Sequence, residues 1–245
     1  MPDLFVESFF LFRPHHRKHT LPEWAAEVPA IRAMEREPLP LTAPATFITG
    51  ENGMGKSTLI EAIAVGCGFD LQGGPYGVQP TTGYTAHNDP RIGESPFKGI
   101  AAVIRGSRPM QGYYLRAETH INSHSNVPLS HGESVMHTIG TYFHANGLYI
   151  LDEPEAGLSI PRQMALLAEL HALVRGGAQI IVSTHSPILL SLPGAAIWEI
   201  IEAGIAPATL RDTTAFRATR DFFEDPHGIA AFMQETMSEE YRRLG

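Results

Sequence analysis

The chain has 245 residues, 43% of them hydrophobic, with a formal net charge of −8 and a single cysteine, Cys67. This length suffices for one α/β domain with a substantial core, and a lone cysteine excludes an internal disulfide. The acidic balance gives no general attraction to nucleic acid or anionic membranes. No basic-then-apolar leader and no apolar run of roughly 18–20 residues occurs. We therefore expect a cytoplasmic protein that inserts no segment into a membrane.

The first 44 residues predict one strand, at Leu4–Phe12, in a region with several prolines. A histidine-rich run follows at His15–His19. It has the composition of a metal or phosphate site, but no carboxylate or cysteine supports coordination there. We interpret this run as a solvated basic loop.

A glycine-rich loop lies between a buried strand predicted at Ala45–Thr49 and a helix predicted at Thr58–Val65. It fills every fixed position of G-x-x-x-x-G-K-[ST]. Glycines allow the tight turns that direct backbone N–H groups at phosphate oxygens, and the helix N-terminus attracts anions. Lys56 is predicted to reach the β- and γ-phosphates, and Ser57 to ligate Mg²⁺. The predicted nucleotide contacts are Gly50, Glu51, Asn52, Gly53, Met54, Gly55, Lys56, Ser57 and Thr58.

The middle of the chain is less regular. Residues 66–99 are rich in Gly, Pro, Thr and Asn and predict long loops or short strands. Two strands are then predicted, at Ile100–Ile104 and Gly112–Thr119. Gln111 and Glu118 lie at opposite ends of the second of these strands.

The run Leu129–Ser134 has two interpretations. Ser130 and Glu133 have the spacing of a helix capping box, and apolar residues at helical spacing follow them. A capped helix N-terminus also presents Ser130 and backbone N–H groups to an anion such as a γ-phosphate. We consider both interpretations correct, so Ser130, Gly132 and Glu133 are candidate nucleotide contacts.

Two apolar strands in the second half of the chain end in polar residues. Residues 147–151 lead into Asp152 and Glu153, and Gln179–Val182 leads into the run Ser183–Pro187, which contains His185. Asp152 suits the binding of Mg²⁺, and Glu153 suits the orientation of an attacking water. Alone, each site would be an ordinary strand end, but the phosphate-binding loop makes a catalytic interpretation the better one.

These motifs, in this order, resemble the ATP-binding-cassette (ABC) superfamily of ATPases. Ser130 precedes Asp152 by 22 residues, and Asp152 precedes His185 by 33, both similar to the spacing in that superfamily. The runs from Asp152 to Ser159 and from Thr184 to Leu190 resemble a narrower family of small, soluble, stand-alone predicted ATPases of prokaryotes.

The resemblance implies specific roles. Leu129–Ser134 would be the signature motif, which binds the nucleotide held by the phosphate loop of a second copy, and His185 would contact the γ-phosphate. The superfamily usually has a glutamine that helps to bind Mg²⁺ and the attacking water, and here Glu118 is preferred to its rival Gln111. The resemblance therefore implies an ATP-dependent homodimer with shared sites.

The chain departs from the superfamily pattern at three positions. His131 replaces a signature glycine, Glu133 replaces a glutamine, and Ser159 replaces an aspartate of transporter cassettes. These changes weaken an assignment to transporters more than they weaken ATP binding. Only 74 residues separate Lys56 from Ser130, and no heptad repeat occurs between them, so the long coiled-coil arm of DNA-repair relatives is absent.

The last third of the chain has clearer boundaries. A helix is predicted from an N-cap at Ser159 to Gly176–Gly177, with Pro161 in its first turn. Its predicted apolar positions include Met164, Leu166 and Leu170. A hairpin at Ala196–Ala203 and Ile205–Leu210 follows, and then a polar helix over residues 213–243 with a break at Asp225–Pro226.

We therefore expect a single α/β P-loop NTPase domain of ABC-ATPase type over residues 1–245. Its mainly parallel sheet would carry helices on its faces, an antiparallel portion, a Gly-rich insertion near 66–99 and a short signature arm near 120–146. The expected activity is Mg²⁺-dependent ATP hydrolysis that drives a conformational switch in a partner protein. A transporter's nucleotide-binding subunit and a binding module that hardly turns over are the alternatives. Nucleic acid stays open as a partner, although the charge does not favour it.

Overall fold

The main sheet of the molecule has seven strands and is mostly parallel. In a computed structural model, which describes residues 3–12, 21–77, 95–108, 110–116 and 131–244, the strand order is β10-β9-β3-β8-β7-β6-β4. The strands are β3 (Ala45–Gly50), β4 (Gly74–Pro75), β6 (Gly112–Leu115), β7 (Leu148–Asp152), β8 (Gln179–Ser183), β9 (Ala196–Ile201) and β10 (Gly204–Ala208). Only the edge strands β10 and β4 pair antiparallel. The expected fold class is confirmed. His15–His19, Glu118 and Ser130 lie outside the described residues.

A second, three-stranded sheet is antiparallel throughout, with the order β2-β1-β5. It consists of β1 (Val6–Leu11), β2 (Leu39–Pro40) and β5 (Ala101–Arg105). The helix α3 (Lys56–Cys67), which follows the glycine-rich loop, contacts both β5 and the central strands of the main sheet. This helix is therefore apolar around most of its surface, with Leu59, Ile60, Ile63 and Cys67 all fully buried.

Two apolar cores lie on opposite faces of the main sheet. Successive residues of a strand point to opposite faces, and in β3 Ile48 belongs to the core around α3, while Phe47 belongs to the other. The second core also contains buried residues of helices α4 (His131–Tyr142), α5 (Ile160–Arg175) and α6 (Pro187–Leu190).

The other helices lie at the ends of the chain. Near the amino end these are α1 (Glu23–Glu27) and α2 (Pro29–Met34), and near the carboxyl end α7 (Thr214–Glu224) and α8 (Pro226–Leu244). The break at Asp225 is confirmed, and so is the β9–β10 hairpin. Leu210, predicted as strand, instead begins a 3-10 helix, Leu210–Asp212. Among the residues that the structure describes, no helix is long and apolar enough to cross a membrane.

The predicted ends of two elements need correction, and so do two predicted details of α5. Helix α3 continues to Cys67, two residues beyond the prediction, and is ended by Gly68 in a left-handed conformation. Strand β6 ends at Leu115, before the predicted limit. Ser159 does occupy the N-cap of α5, but its side chain makes no capping hydrogen bond there. Met164 of the same helix is 56% exposed, so the buried stripe of α5 is narrower than the sequence pattern predicts.

Gln179 joins the two sheets through its buried amide. Its Oε1 accepts hydrogen bonds from the N–H groups of Phe5 and Val6, at 2.9 and 3.1 Å. Its Nε2 donates to the carbonyl oxygens of Val6 and Leu41, at 2.8 and 3.0 Å. One side chain thus satisfies four backbone groups at the junction, each of which would be costly to bury without a partner.

We expect Gln179→Ala to lower the free energy of unfolding by about 3 kcal/mol or more, because several backbone groups lose their partners at once. Denaturant unfolding followed by circular dichroism measures this change. Gln111→Ala is the matched control, because its exposed amide makes one hydrogen bond among the described residues, to the Asn146 carbonyl. Equal losses in the two variants would contradict this role for Gln179.

Candidate nucleotide-binding and hydrolysis site

The glycine-rich loop between β3 and α3 has the conformation that only glycines accept easily. Gly55 has φ +91°, and a Cβ there would lie 2.0 Å from Val28 Cγ1. Gly50 has φ +144°, and a Cβ there would lie 2.6 Å from the Ile200 carbonyl oxygen. Glycine is therefore required at both positions for steric reasons as well as conformational ones. Helix α2 supports the loop, since Ala30 N–H donates to the Met54 carbonyl at 3.2 Å.

Lys56 begins α3 and is only 4% exposed. Its Nζ donates to the Glu51 carbonyl at 3.1 Å, which keeps the ammonium beside the loop. Burial lowers the pKa of Lys56, while the carboxylates of Glu153, Asp152 and Glu155 act in the opposite direction. The structure thus brings the loop lysine close to the acidic strand end, as the sequence predicts.

Asp152, the last residue of β7, is buried beside two hydroxyl groups. Ser183 Oγ donates to Asp152 Oδ1 at 2.5 Å, and the Ser57 hydroxyl lies close enough to stabilise the charged carboxylate. Burial raises the pKa of Asp152, and the hydrogen bonds from Ser183 and Ser57 counteract this shift. The two predicted metal ligands that the structure describes, Ser57 and Asp152, therefore lie near each other.

These two side chains fit Mg²⁺ in their chemistry, because it prefers hard oxygen ligands and keeps several waters. Among the described residues, no group of three His, Cys, Asp or Glu side chains could hold a metal ion. A cation at Ser57 and Asp152 would therefore need phosphate and water oxygens to complete its coordination. This is the usual arrangement where one or two protein groups bind a metal–nucleotide complex.

Glu153 follows with a left-handed backbone, at φ +45°. Such a conformation is uncommon outside glycine and is maintained by surrounding contacts. Here its N–H donates to both the carbonyl oxygen and the Oγ of Ser183, at 3.1 Å each. The turn leaves the Glu153 side chain one-third exposed, with Oε1 3.5 Å from His185 Nε2. The structure therefore brings together the predicted water-orienting residue and the predicted phosphate contact.

The imidazole of His185 lies between charges of both signs. Burial lowers the pKa of His185, nearby Lys56 lowers it further, and Glu153 opposes both effects. The neutral imidazole is therefore favoured near neutral pH. A neutral imidazole still has one N–H to donate to a phosphate oxygen.

Three further side chains in the site were missed by the sequence analysis, namely Ser183, Glu155 and Gln163. Ser183 contacts both acidic residues at the end of β7, and Glu155 accepts hydrogen bonds from Thr184 and His185. Burial raises the pKa of Glu155, and its hydrogen bond from Thr184 counteracts the shift. All three residues lie within or near the motifs recognised in the sequence. Their hydrogen-bond partners, however, depend on how the strands β7 and β8 align.

The described part of the signature motif packs against the turn that follows β7. A Cβ on Gly132 would lie 2.6 Å from Leu158 Cδ2 and 3.1 Å from the Gly157 carbonyl oxygen. Glu133 Oε1 lies 3.5 Å from an Arg162 nitrogen. Gly132 therefore has a packing reason within one chain. The nucleotide contacts of Gly132, Glu133 and Ser130 stay predictions.

Gln111 lies at the wrong end of its strand for a role in the site. It precedes β6 and donates to the Asn146 carbonyl at 2.5 Å, just before the parallel neighbour β7 begins. These are the amino ends of both strands, whereas Asp152 lies at a carboxyl end. Gln111, the rival to Glu118, is therefore too far along the strand to contact Mg²⁺ or the attacking water at this edge. Arg116 follows the carboxyl end of β6, with one guanidinium nitrogen 3.4 Å from Glu61 Oε2.

Two family models match the chain. One, described as "AAA domain", matches residues 30–127. The other, described as "AAA domain, putative AbiEii toxin, Type IV TA system", matches residues 126–191. Together with the fold and the phosphate-binding loop, these two models support an ATP-binding ATPase domain of the P-loop class.

Solved structures share similarity with the chain as well. One is titled "An inward-facing conformation of a putative metal-chelate type ABC transporter". It has a TM-score of 0.45 and 13% sequence identity, with 88% of each chain covered. A similarity of this strength adds no argument about function. No curated protein matches the chain.

We expect Ser183→Ala to raise severalfold the Mg²⁺ concentration that half-saturates binding of a slowly hydrolysed ATP analogue. The reason is that Asp152 and the Glu153 N–H both lose the hydroxyl that orients them. A titration of Mg²⁺ at fixed analogue concentration measures this shift. Ser191→Ala is the control, because its exposed hydroxyl donates to the Ile188 carbonyl, away from the acidic residues. An unchanged Mg²⁺ midpoint in Ser183→Ala would show that Asp152 needs no such support.

Proposed function

We propose that this protein is a soluble, cytoplasmic, Mg²⁺-dependent ATPase that hydrolyses ATP to ADP and phosphate. The observation that carries the proposal is the convergence of four groups at one edge of the sheet. Lys56, the Ser57–Asp152 pair, Glu153 and His185 all follow the carboxyl ends of neighbouring parallel strands. This is where open α/β sheets bind their ligands.

The reaction is an in-line displacement at the γ-phosphorus of ATP. A water oxygen forms the new bond to phosphorus, while the bond to the β–γ bridging oxygen breaks and ADP leaves. Glu153 orients the water and accepts its proton, and Lys56 and His185 interact with the charge on the transferred group. Ser57 and Asp152 would hold Mg²⁺, which would neutralise part of the negative charge on the phosphates.

Two variants are expected to distinguish loss of ATP binding from loss of hydrolysis. Glu153→Gln is expected to keep affinity for a fluorescent ATP analogue but to slow phosphate release by about two orders of magnitude or more, because the general base is lost. Lys56→Ala is expected to weaken binding itself, because a charge at the β- and γ-phosphates is removed.

Glu224→Gln on the exposed face of α7 is the control for loss of a carboxylate. Wild-type rates in Glu153→Gln would mean that another group, such as Glu118, positions the water. Unchanged affinity in Lys56→Ala would overturn the assignment of the phosphate site. A wild-type protein that binds ATP but releases no phosphate would be a binding module instead.

The working form is proposed to be an ATP-dependent homodimer with shared sites. The helix α4 begins at His131 and packs, through Gly132, on the turn that follows β7. An N-terminus capped by Ser130 would be an anion site suited to the nucleotide of a second copy. ATP would then connect the phosphate loop of one chain to the signature motif of the other. Closing and reopening of this dimer would drive the conformational switch of a partner protein.

The partner is proposed from the second family model. The second family model names a toxin of a type IV toxin–antitoxin system. On this description we propose a protein as the partner. Mass spectrometry of proteins retained by Glu153→Gln with Mg-ATP would identify the partner.

Mixing two inactive variants tests the shared site. Ser130→Arg is expected to abolish dimerisation and turnover while leaving ATP binding nearly intact, and Lys56→Ala blocks the phosphate loop. A heterodimer of the two keeps one of its two sites intact, so mixing should restore part of the wild-type rate, up to about one half if every dimer is a heterodimer. A steady-state ATPase assay of the mixture measures this recovery. No recovery, together with a Glu153→Gln protein that sediments as a monomer in Mg-ATP, would contradict the shared site.

A further inference from the structure

The loop that carries His185 is attached by hydrogen bonds to the turn after the neighbouring strand. We call residues Thr184–Ser186, between β8 and α6, the switch loop. We call residues Pro154–Leu158, which follow the two acidic residues at the end of β7, the acidic turn. Side chains of the acidic turn and of α5 contact every residue of the switch loop.

Glu155 makes the central contacts. Its Oε1 accepts a hydrogen bond from Thr184 Oγ1 at 2.6 Å and another from the N–H of His185 at 2.8 Å. A single oxygen therefore fixes the Thr184 side chain and the backbone on which the imidazole is carried. Among the described residues, no donor lies within hydrogen-bonding distance of Glu155 Oε2. Both described hydrogen bonds from the switch loop to this carboxylate are thus accepted by Oε1.

The far end of the switch loop has separate supports. Ser186 Oγ donates to Gln163 Oε1 at 2.7 Å, and Gln163 Nε2 donates to the Leu158 carbonyl at 3.0 Å. Ser186 also caps α6 by accepting from the Leu189 N–H at 3.3 Å. With this end secured, the direction of the His185 side chain depends chiefly on how the backbone at Thr184 and His185 is held.

We propose that Glu155 is a positioning residue that acts through His185 and so sets the rate of ATP hydrolysis. The inference rests on the proposed function, because it needs His185 to act on the γ-phosphate. His185 Nε2 is 3.5 Å from Glu153 Oε1, so a small rotation of the switch loop moves the imidazole relative to both the water and the phosphate. Displacements of about 1 Å can cost up to about 100-fold in rate.

A positioning role predicts a particular split of kinetic effects. Glu155→Ala should lower kcat about tenfold, as expected for a misplaced catalytic group, and should change KM little. An interaction needed only in the transition state affects kcat rather than substrate binding. Glu155→Gln keeps an acceptor oxygen for both donors, so its kcat should stay within about threefold of wild type.

The decisive measurement is a double-mutant cycle with His185→Ala. If Glu155 acts through the imidazole, Glu155→Ala should lower kcat by less than about twofold once His185→Ala is present. A merely structural contribution of Glu155 would lower the rate by the same factor in both backgrounds. Affinity for a fluorescent ATP analogue and the thermal unfolding midpoint are measured for every variant, so that lost binding or lost folding is recognised.

Glu199→Gln is the matched control. Glu199 is also a buried carboxylate, and it accepts the Thr214 N–H at 2.8 Å, away from the switch loop. Its variant should hydrolyse ATP within about twofold of wild type, because only a backbone contact to α7 changes. If Glu155→Ala does not fold, Thr184→Val removes one of the two donors instead. Its kcat should fall severalfold in the wild-type background and not in His185→Ala.

The outcomes distinguish this inference from the proposed function. Absence of ATPase activity in the wild-type protein, or wild-type kcat in His185→Ala, would overturn the role of the site itself. If the wild-type protein hydrolyses ATP and His185→Ala lowers kcat, but Glu155→Ala keeps the wild-type kcat, only the role of Glu155 would be overturned. Equal losses in both backgrounds, or an equal loss in Glu199→Gln, would overturn it as well.

Discussion

The pairing of β8 with both β3 and β7 is the constraint on which the rest of the molecule depends. Ser183 lies opposite Ile48 on one side and opposite Asp152 on the other. The three strands are parallel, so the phosphate-binding loop, the acidic turn and the switch loop leave the sheet at the same edge. A register shift of one residue would point every side chain of β8 to the opposite face. It would remove the Ser183 hydroxyl from Asp152.

The same edge concentrates charge that an apolar sheet would not otherwise bury. Desolvation disfavours the charged forms of Lys56, Asp152 and Glu155 alike. Hydroxyl and backbone donors from the adjacent strand offset that cost, because a hydrogen bond to a carboxylate stabilises its charged form. Polar groups that are fixed before a ligand arrives need little reorganisation during a reaction. The network around β8 therefore serves stability and proposed chemistry together.

Sequence alone predicted the elements whose signals are local. The glycine spacing before Lys56 and the apolar runs before Asp152 and Ser183 define strands and loops within a few residues. Ser183, Glu155 and Gln163 were missed because their partners lie on another strand or loop, and only the alignment of strands selects them. Gln111 lies away from the site because β6 pairs parallel to β7, and the sequence pattern does not reveal this pairing. Met164 has the correct helical spacing, but it is 56% exposed in the part of the chain that the structure describes.

The four hydrogen bonds of Gln179 also have a consequence for synthesis on the ribosome. Phe5 and Val6 emerge more than 170 residues before the side chain that satisfies them. At about 5–20 residues per second, the first strand would wait roughly ten to thirty seconds for that partner. During this interval its apolar residues, Phe5 and Phe9 among them, have no completed core to enter. The nascent chain therefore exposes the kind of surface that general chaperones bind, and early truncation products should aggregate.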